Sequence, residues 1–368
     1  MNEKTQPCTH CGAVHPRVNL TWMGSAELCP ECLQRYTVCC DCCGERIWMA
    51  NDYGTHYLHL CASCRADNYV TCENCGALIP QEDAHYNDED EAYCDSCYER
   101  GYGGTIHNYS YKPEPIFYGD GPLYLGVELE VDEAGKDNIN AVQALRAFNQ
   151  ENVYGYVKSD GSLNDGFELV THPCTLETHL QQVPWRETLE ALRGMGYRSH
   201  APGTCGLHVH VSRKALGKDV YEQEETIAKL LYIFERFWQE ILRFSRQTES
   251  QINHWAARYG YKDRGEEILK EAKHGANGRY ACINLTNTDT IEFRVFRRTL
   301  KYNTVIATLQ FVANLCRVAI SLPEYRIQEF SWPALIEALT QDNCPELVQY
   351  LKEQNLYVNE PVTAEREV

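Results

Sequence analysis

The sequence predicts an α+β fold: an antiparallel sheet with helices on its outer face, preceded by three tandem zinc ribbons. Three observations predict it. Cysteine pairs recur at a fixed 32-residue period near the N-terminus. Four later segments alternate charged or imidazole residues with aliphatic ones. Between these segments run stretches with apolar residues at every third or fourth position, the period of a half-buried helix.

The repeat comes first along the chain. Cys8-x-x-Cys11-Gly12, Cys40-x-x-Cys43-Gly44 and Cys72-x-x-Cys75-Gly76 start 32 residues apart. Their mates are Cys29/Cys32, Cys61/Cys64 and Cys94/Cys97, with 17, 17 and 18 residues between. That spacing suits a ribbon in which two cysteine knuckles close tetrahedrally on one Zn²⁺, so three structural zinc ions are expected. Glycine after the second cysteine lets the chain turn tightly, so that its amides approach the thiolates. Cys39 and Cys42 fall outside the register, and the run 39–43 leaves the ligand choice in the second repeat open. His10, His15, His56, His59 and His85 read as surface residues, because each set already has four thiols.

Residues 101–121, rich in Gly, Tyr and Pro, read as a linker packed on the second domain, and Gly101-x-Gly103-Gly104 is a weak phosphate-loop candidate. The second domain spans 122–356. A strand is expected at 123–131, a helix at 137–150 capped by Asp137 or Asn138, and a hairpin from 153–158 and 166–171 around Asp160-Gly161. A helix at 175–194 and a strand at 206–212 follow. The stretch 220–246 places Ile227, Leu230, Leu231, Phe234, Trp238, Ile241 and Leu242 on one helical face. Segments 280–287 and 290–297 read as another antiparallel pair, helices at 303–322 and 332–355 close the fold, and 357–368 is a loose tail.

Composition excludes several functions. The 368 residues carry 34 Lys+Arg against 52 Asp+Glu, a formal charge of −18, which opposes a general phosphate-binding surface. Within residues 1–100 the count is 6 against 16, and thiolates on zinc deepen it. With Glu82, Asp83 and the run Asp88-Glu89-Asp90-Glu91, the ribbons would repel nucleic acid and favour a protein partner. No apolar leader opens the chain and no window nears 18 uninterrupted apolar residues, so a soluble, cytoplasmic protein with no membrane span is expected. In that reducing compartment 19 cysteines mean metal or redox chemistry rather than disulfides.

The candidate site lies on the four alternating strands. In Gly126-Val-Glu-Leu-Glu-Val131, the period of two sends Glu128 and Glu130 to one face and the aliphatic residues to the core. Gly206-Leu-His-Val-His-Val211 does the same with His208 and His210, Phe167-Glu-Leu169 with Glu168, and Ile291-Glu-Phe-Arg-Val295 with Glu292 and Arg294. Carboxylates gathered on one face repel unless cations neutralise them, and oxygen ligands with one or two imidazoles fit Mg²⁺ or Mn²⁺. Arg294, Arg297 and Arg298 beside them would hold phosphates. Lys158, Arg279 and Asn284 read equally as substrate or nucleotide contacts and as surface or hairpin residues. Trp238 and Trp255 read as packing aromatics rather than an adenine shelf; Cys174, Cys205, Cys282, Cys316 and Cys344 have no pairwise metal spacing, and Cys205 reads as a small buried thiol rather than a nucleophile.

Gly-Val-Glu-Leu-Glu, then Ser-Asp-Gly-Ser with Gly-Phe-Glu-Leu-Val-Thr-His-Pro, then Cys-Gly-Leu-His-Val-His-Val-Ser, then Ile-Glu-Phe-Arg-Val-Phe, in that order, resemble the amidoligases. These are carboxylate–amine ligases of the glutamine synthetase and glutamate–cysteine ligase superfamily. The resemblance covers about 110–325 and leaves the ribbons outside. It implies a curved antiparallel sheet of glutamine-synthetase type, ATP as co-substrate, two or three Mg²⁺ or Mn²⁺ ions, amine and carboxylate substrates, and an acyl-phosphate intermediate. By matching positions, it implies metal ligation by Glu128, Glu130, Asp160, Glu168, His208 and Glu292. Glu128, Glu130, Glu168 and Arg294 would carry the catalysis, and Lys158, Arg294, Arg297 and Arg298 would contact the nucleotide phosphates. The ribbons would recruit a protein or peptide. Rival readings are a metal-dependent hydrolase using His208-x-His210 and a non-catalytic ribbon adaptor.

Overall fold

The computed structural model describes residues 5–87, 90–100, 104–198, 206–274 and 278–357. Asp88 and Glu89 of the acidic run, Gly101-x-Gly103, Cys205 and the tail from 358 onwards lie outside them. The chain divides into two compact units, Met1–Gly104 and Thr105–Val368.

The first unit repeats one small motif three times. Two short antiparallel strands, Thr5–Pro7 with Val14–Pro16, Thr37–Cys39 with Arg46–Trp48 and Tyr69–Thr71 with Leu78–Pro80, flank each leading cysteine pair. Gly12, Gly44 and Gly76 sit at φ of 73°, 75° and 69°, a conformation that glycine adopts without the clash a Cβ would bring. The second pair of each set departs from the expected knuckle. It forms the first turn of a short helix, Pro30–Tyr36, Ala62–Asn68 or Asp95–Glu99, with Cys29, Cys61 or Cys94 as N-cap. Each repeat buries little beyond its cysteines and one or two aliphatic or aromatic residues, such as Leu28, Ile47 with Leu60, and Ile79 with Tyr93. Cores this small depend on a metal for stability.

The second unit is a mixed helix and sheet fold. Its sheet runs in the order Ile106–His107, Gly155–Lys158, Phe167–Thr171, Tyr124–Val131, Gly206–Ser212, Thr290–Arg297, Ile283–Asn284, with Cys174–Thr175 also pairing with Tyr124–Val131. All pairings are antiparallel except Ile106–His107 with Gly155–Lys158, so the segment expected as a linker supplies a parallel edge strand. Val127, Leu129, Val131, Leu207, Val209, Val211, Phe293 and Val295 are fully buried and share one core with the helices. At its centre is the helix Tyr302–Ser321, 20 residues long and apolar enough to cross a membrane, yet 83% buried here. It packs against Pro345–Glu353, Val220–Arg236 and Trp332–Leu339.

Three expected helices are each divided. The stretch 175–194 is Leu176–Gln181 and Trp185–Gly194, parted at Pro184, whose ring cannot continue the hydrogen-bond ladder. The stretch 220–246 breaks at Phe237 into Val220–Arg236 and Trp238–Ser245. The stretch 332–355 becomes Trp332–Leu339 and Pro345–Glu353. Glu249–Trp255 and Gly265–His274 are further helices that the apolar pattern does not announce.

Candidate functional site

Strand register brings the polar faces together. Glu128 pairs across with His208, Glu130 with Glu168, Glu168 with Lys158, His210 with Glu292, and Glu292 with Asn284. All of these side chains line one cavity of about 1260 Å³. The pairing between Gly206–Ser212 and Thr290–Arg297 slips by one residue, with Leu207 opposite Phe296 but Val209 opposite Phe293. This bulge changes the alternation, so that Val295 and Phe296 are both buried and Arg297 returns to the cavity side. Gly206 permits a close approach: its amide donates to Glu130 Oε2 at 2.5 Å, and an added Cβ would lie 2.3 Å from His208 Nε2.

The cluster is dense. His208 Nδ1 lies 3.3 Å from Glu128 Oε2, 3.5 Å from Glu292 Oε1 and 4.0 Å from Glu130 Oε1. His210 Nε2 lies 3.1 Å from Glu128 Oε1 and 3.9 Å from Glu292 Oε1. Arg294 Nη1 donates to Glu292 Oε1 at 2.5 Å, and Lys158 Nζ stands 3.2 Å from Glu168 Oε2. Asn284, 2% exposed, donates to Glu292 Oε2 at 2.8 Å while its own Oδ1 accepts the amide and hydroxyl of Thr286. Asp160 lines the same cavity from the loop after Lys158, its Oδ1 accepting the Ser162 amide at 2.7 Å.

Environment pushes these carboxyls apart in acidity. Burial works to raise Glu128, but His210 and His208 beside it hold it well below the ordinary carboxylate range. Glu292 is lowered in the same way, against burial, by His210 and His208. Burial raises Glu130. Burial and then Glu128 push Glu168 well above the ordinary range, with Lys158 opposing. Both imidazoles rise despite burial, because Glu128 faces them. Such a split separates the carboxyls: Glu128 and Glu292 favour the ionised form, whereas Glu168 favours a proton more than an ordinary carboxyl does.

Residues able to hold a divalent cation are therefore present. Ligand atoms of Glu128, His210 and Glu292 lie within 4.8 Å of one another. His210, absent from the ligand set that the resemblance implies, stands in this group. The two tryptophans separate. Trp238 is buried under Arg258, whereas Trp255, expected in packing, is 36% exposed on the cavity rim beside Tyr280. Arg279 lines the cavity as well, its guanidinium donating to the hydroxyls of Tyr109 and Tyr280. Cys174, Cys282, Cys316 and Cys344 are buried thiols away from this site.

The cysteine sets fit zinc in their own geometry. Each tetrad, Cys8/Cys11/Cys29/Cys32, Cys40/Cys43/Cys61/Cys64 and Cys72/Cys75/Cys94/Cys97, gathers its sulfurs within 4.8 Å. A Zn–S bond of about 2.3 Å requires a tetrahedral S···S edge of about 3.8 Å. Cys11–Cys29, Cys43–Cys61 and Cys75–Cys94 are 3.8, 3.9 and 3.8 Å apart. Amides of Cys61 and Cys43 lower the Cys40 thiol to about 6, favouring the thiolate that ligates metal. Cys42 stays outside its tetrad and accepts from Asn68, which leaves four ligands in the second repeat without it.

Fold and site thus define a mixed helix and sheet protein with an acidic face able to hold a cation and a cysteine-rich module. Residues 146–316 match the family described as "Putative amidoligase enzyme". The match takes in Glu168, His208, Glu292 and Arg294; Glu128 and Glu130 precede it. A solved structure similar to this chain is that of a bifunctional glutathione synthetase from Pasteurella multocida, with 14% identity and a TM-score of 0.34. The similarity covers 63% of this chain and 46% of that one, so the chain spans less than half its length. Comparison with the curated proteins finds no match.

Proposed function

We propose that the protein is an ATP-dependent carboxylate–amine ligase that forms an amide bond through an acyl phosphate. The observation that carries this reading is the convergence of Glu128, Glu130, Glu168, His208, His210, Glu292 and Arg294 on one sheet face over a nucleotide-sized cavity, in a chain matching the amidoligases. A carboxylate resists amine attack because its leaving group is oxide; phosphorylation gives it a good one. Mg²⁺ or Mn²⁺, held by Glu128, His210 and Glu292 with His208 and Glu130 adjacent, would neutralise charge on the transferring phosphoryl group. Arg294, Arg297, Arg298 and Lys158 face the same space and would steady the nucleotide phosphates and the tetrahedral oxyanion. Glu168, whose affinity for a proton is raised, is suited to take one from the incoming ammonium group.

On this reading the sheet has glutamine-synthetase-like curvature, and the acidic cysteine module recruits or orients a protein or peptide substrate. A cytoplasmic setting suits its reduced thiols. The test is ADP release by the purified, zinc-loaded chain with Mg²⁺ or Mn²⁺ across amino-acid, peptide and polyamine acceptors. Amine-dependent ADP release is expected. Hydrolysis of amides or phosphoesters without nucleotide, with no amine dependence, would instead select the hydrolase reading of His208 and His210.

A further inference from the structure

A second cavity, of about 620 Å³, lies in the larger unit and shares no lining residue with the first. Its walls bring Arg193, Arg198, Arg246 and Lys301 together against a single carboxylate, Glu353, in a chain whose formal charge is −18. Lys301 is paired with Glu353 at 2.8 Å, so the three guanidinium groups face a cavity with no other carboxylate among its described lining residues. Arg246 Nη2 donates to the Arg297 carbonyl at 2.6 Å, while its Nε is buried and meets no acceptor among the described residues. The helix Tyr302–Ser321 begins at the same cavity, with Lys301 as N-cap and Thr304 of its first turn both in the lining. Thr299 and Thr304 add hydroxyl-bearing side chains to the lining.

We propose that this cavity is a second binding site, for a small molecule bearing a phosphate or diphosphate group. Clustered guanidinium groups form bidentate hydrogen bonds with phosphate oxygens, and the start of a 20-residue helix at the cavity adds the positive end of its dipole. The volume exceeds that of a bare phosphate ion and falls in the range of small-molecule sites, so the remainder of the ligand has room beside Tyr197 and Tyr350. The proposal does not rest on the ligase reading, since no residue lines both cavities.

The test is isothermal titration of the full, zinc-loaded chain with inorganic pyrophosphate and, in parallel, with ADP. Arg246 is left intact, because its bonds to the Arg297 and Arg298 carbonyls reach the first cavity. The variant is Arg193→Glu with Arg198→Glu, both exposed and outside the first cavity. The wild type should bind one equivalent more than this double variant, or bind at that site at least about tenfold more tightly, since each lost charge-assisted bond contributes on that scale. Arg193→Lys with Arg198→Lys should retain binding. A failed ligase reading would leave that difference of one equivalent unchanged, with wild type falling to one equivalent and the double variant to none. Equal affinity for the two probes marks the anion as the whole ligand, and tighter ADP binding shows that the rest of the cavity is used; either supports the site. Glutamate variants that titrate like wild type, or lysine variants that lose binding as fully as they do, would overturn it.

Discussion

Acid should destabilise the larger unit through one buried histidine. His179 is 1% exposed; its Nε2 donates to the Leu125 carbonyl at 3.1 Å, and its Nδ1 accepts from Trp185 Nε1 at 3.3 Å. Both ring nitrogens are thus satisfied only in the neutral form. A proton on Nδ1 would face the indole N–H, and burial lowers the group to about 4 from its ordinary 6.5. Between those values the folded state binds fewer protons than the unfolded chain. Stability is therefore complete above pH 6.5, falls as pH drops through 4, and levels off below. At about 1.36 kcal/mol per pKa unit, the loss by pH 4 is about 3 kcal/mol. The comparison is His179→Gln, which is neutral at every pH. Urea unfolding of both proteins, read by hydrogen exchange at amides of the Tyr124–Val131 strand, should show wild type the more stable at pH 7. The advantage should shrink by about 3 kcal/mol at pH 4. A gap that stays constant across that range would refute the reasoning.

Other predictions follow from the two metal-binding regions. Asn284→Ala removes the shorter of two donors to Glu292 Oε2 and leaves only Asn287 at 3.3 Å, and Mn²⁺ affinity read by electron paramagnetic resonance should fall about 10- to 100-fold while zinc content is unchanged. Gly44→Ala meets no atom within 4 Å, so its cost is the backbone strain at φ 75° alone, about 1–2 kcal/mol. Metal competition with a chromophoric chelator should show it as roughly tenfold easier zinc release, since about 1.4 kcal/mol is a factor of ten. Chelating all zinc should unfold the first unit while the Tyr124–Val131 amides stay protected.

The cysteine period and the strand alternation were legible in the sequence because both depend on local spacing. Thiols 32 residues apart and carboxylates two apart need no knowledge of the rest of the chain. What escaped the sequence is set by partners distant along it. Lys158 read as a free phosphate contact, and only strand register places it against Glu168. His210 joins Glu128 and Glu292 because its strand lies between theirs. Arg297 faces the cavity only because a bulge shifts the alternation after Arg294. Pro184 and Pro345 were visible signals for dividing two of the helices, whereas the break at Phe237 interrupts an apolar period that runs on unchanged. The two short helices Glu249–Trp255 and Gly265–His274 bury only one to three residues each, too few for a periodic signal. The second cysteine pair of each repeat shares its spacing with a knuckle, and the helix that follows it distinguishes the two.

The most direct measurement compares cells producing the wild-type chain with cells producing Glu128→Gln, by mass spectrometry of small molecules and peptides. A carboxylate–amine ligase should yield a product whose mass is the sum of its two precursors less one water, or a peptide so modified, present with the wild type and absent with Glu128→Gln. Equal zinc content in the two proteins would show that the cysteine module is intact in both. If no condensation product separates the two, or if the variant forms it as readily as the wild type, the assignment of the acidic face to amide-bond formation is contradicted.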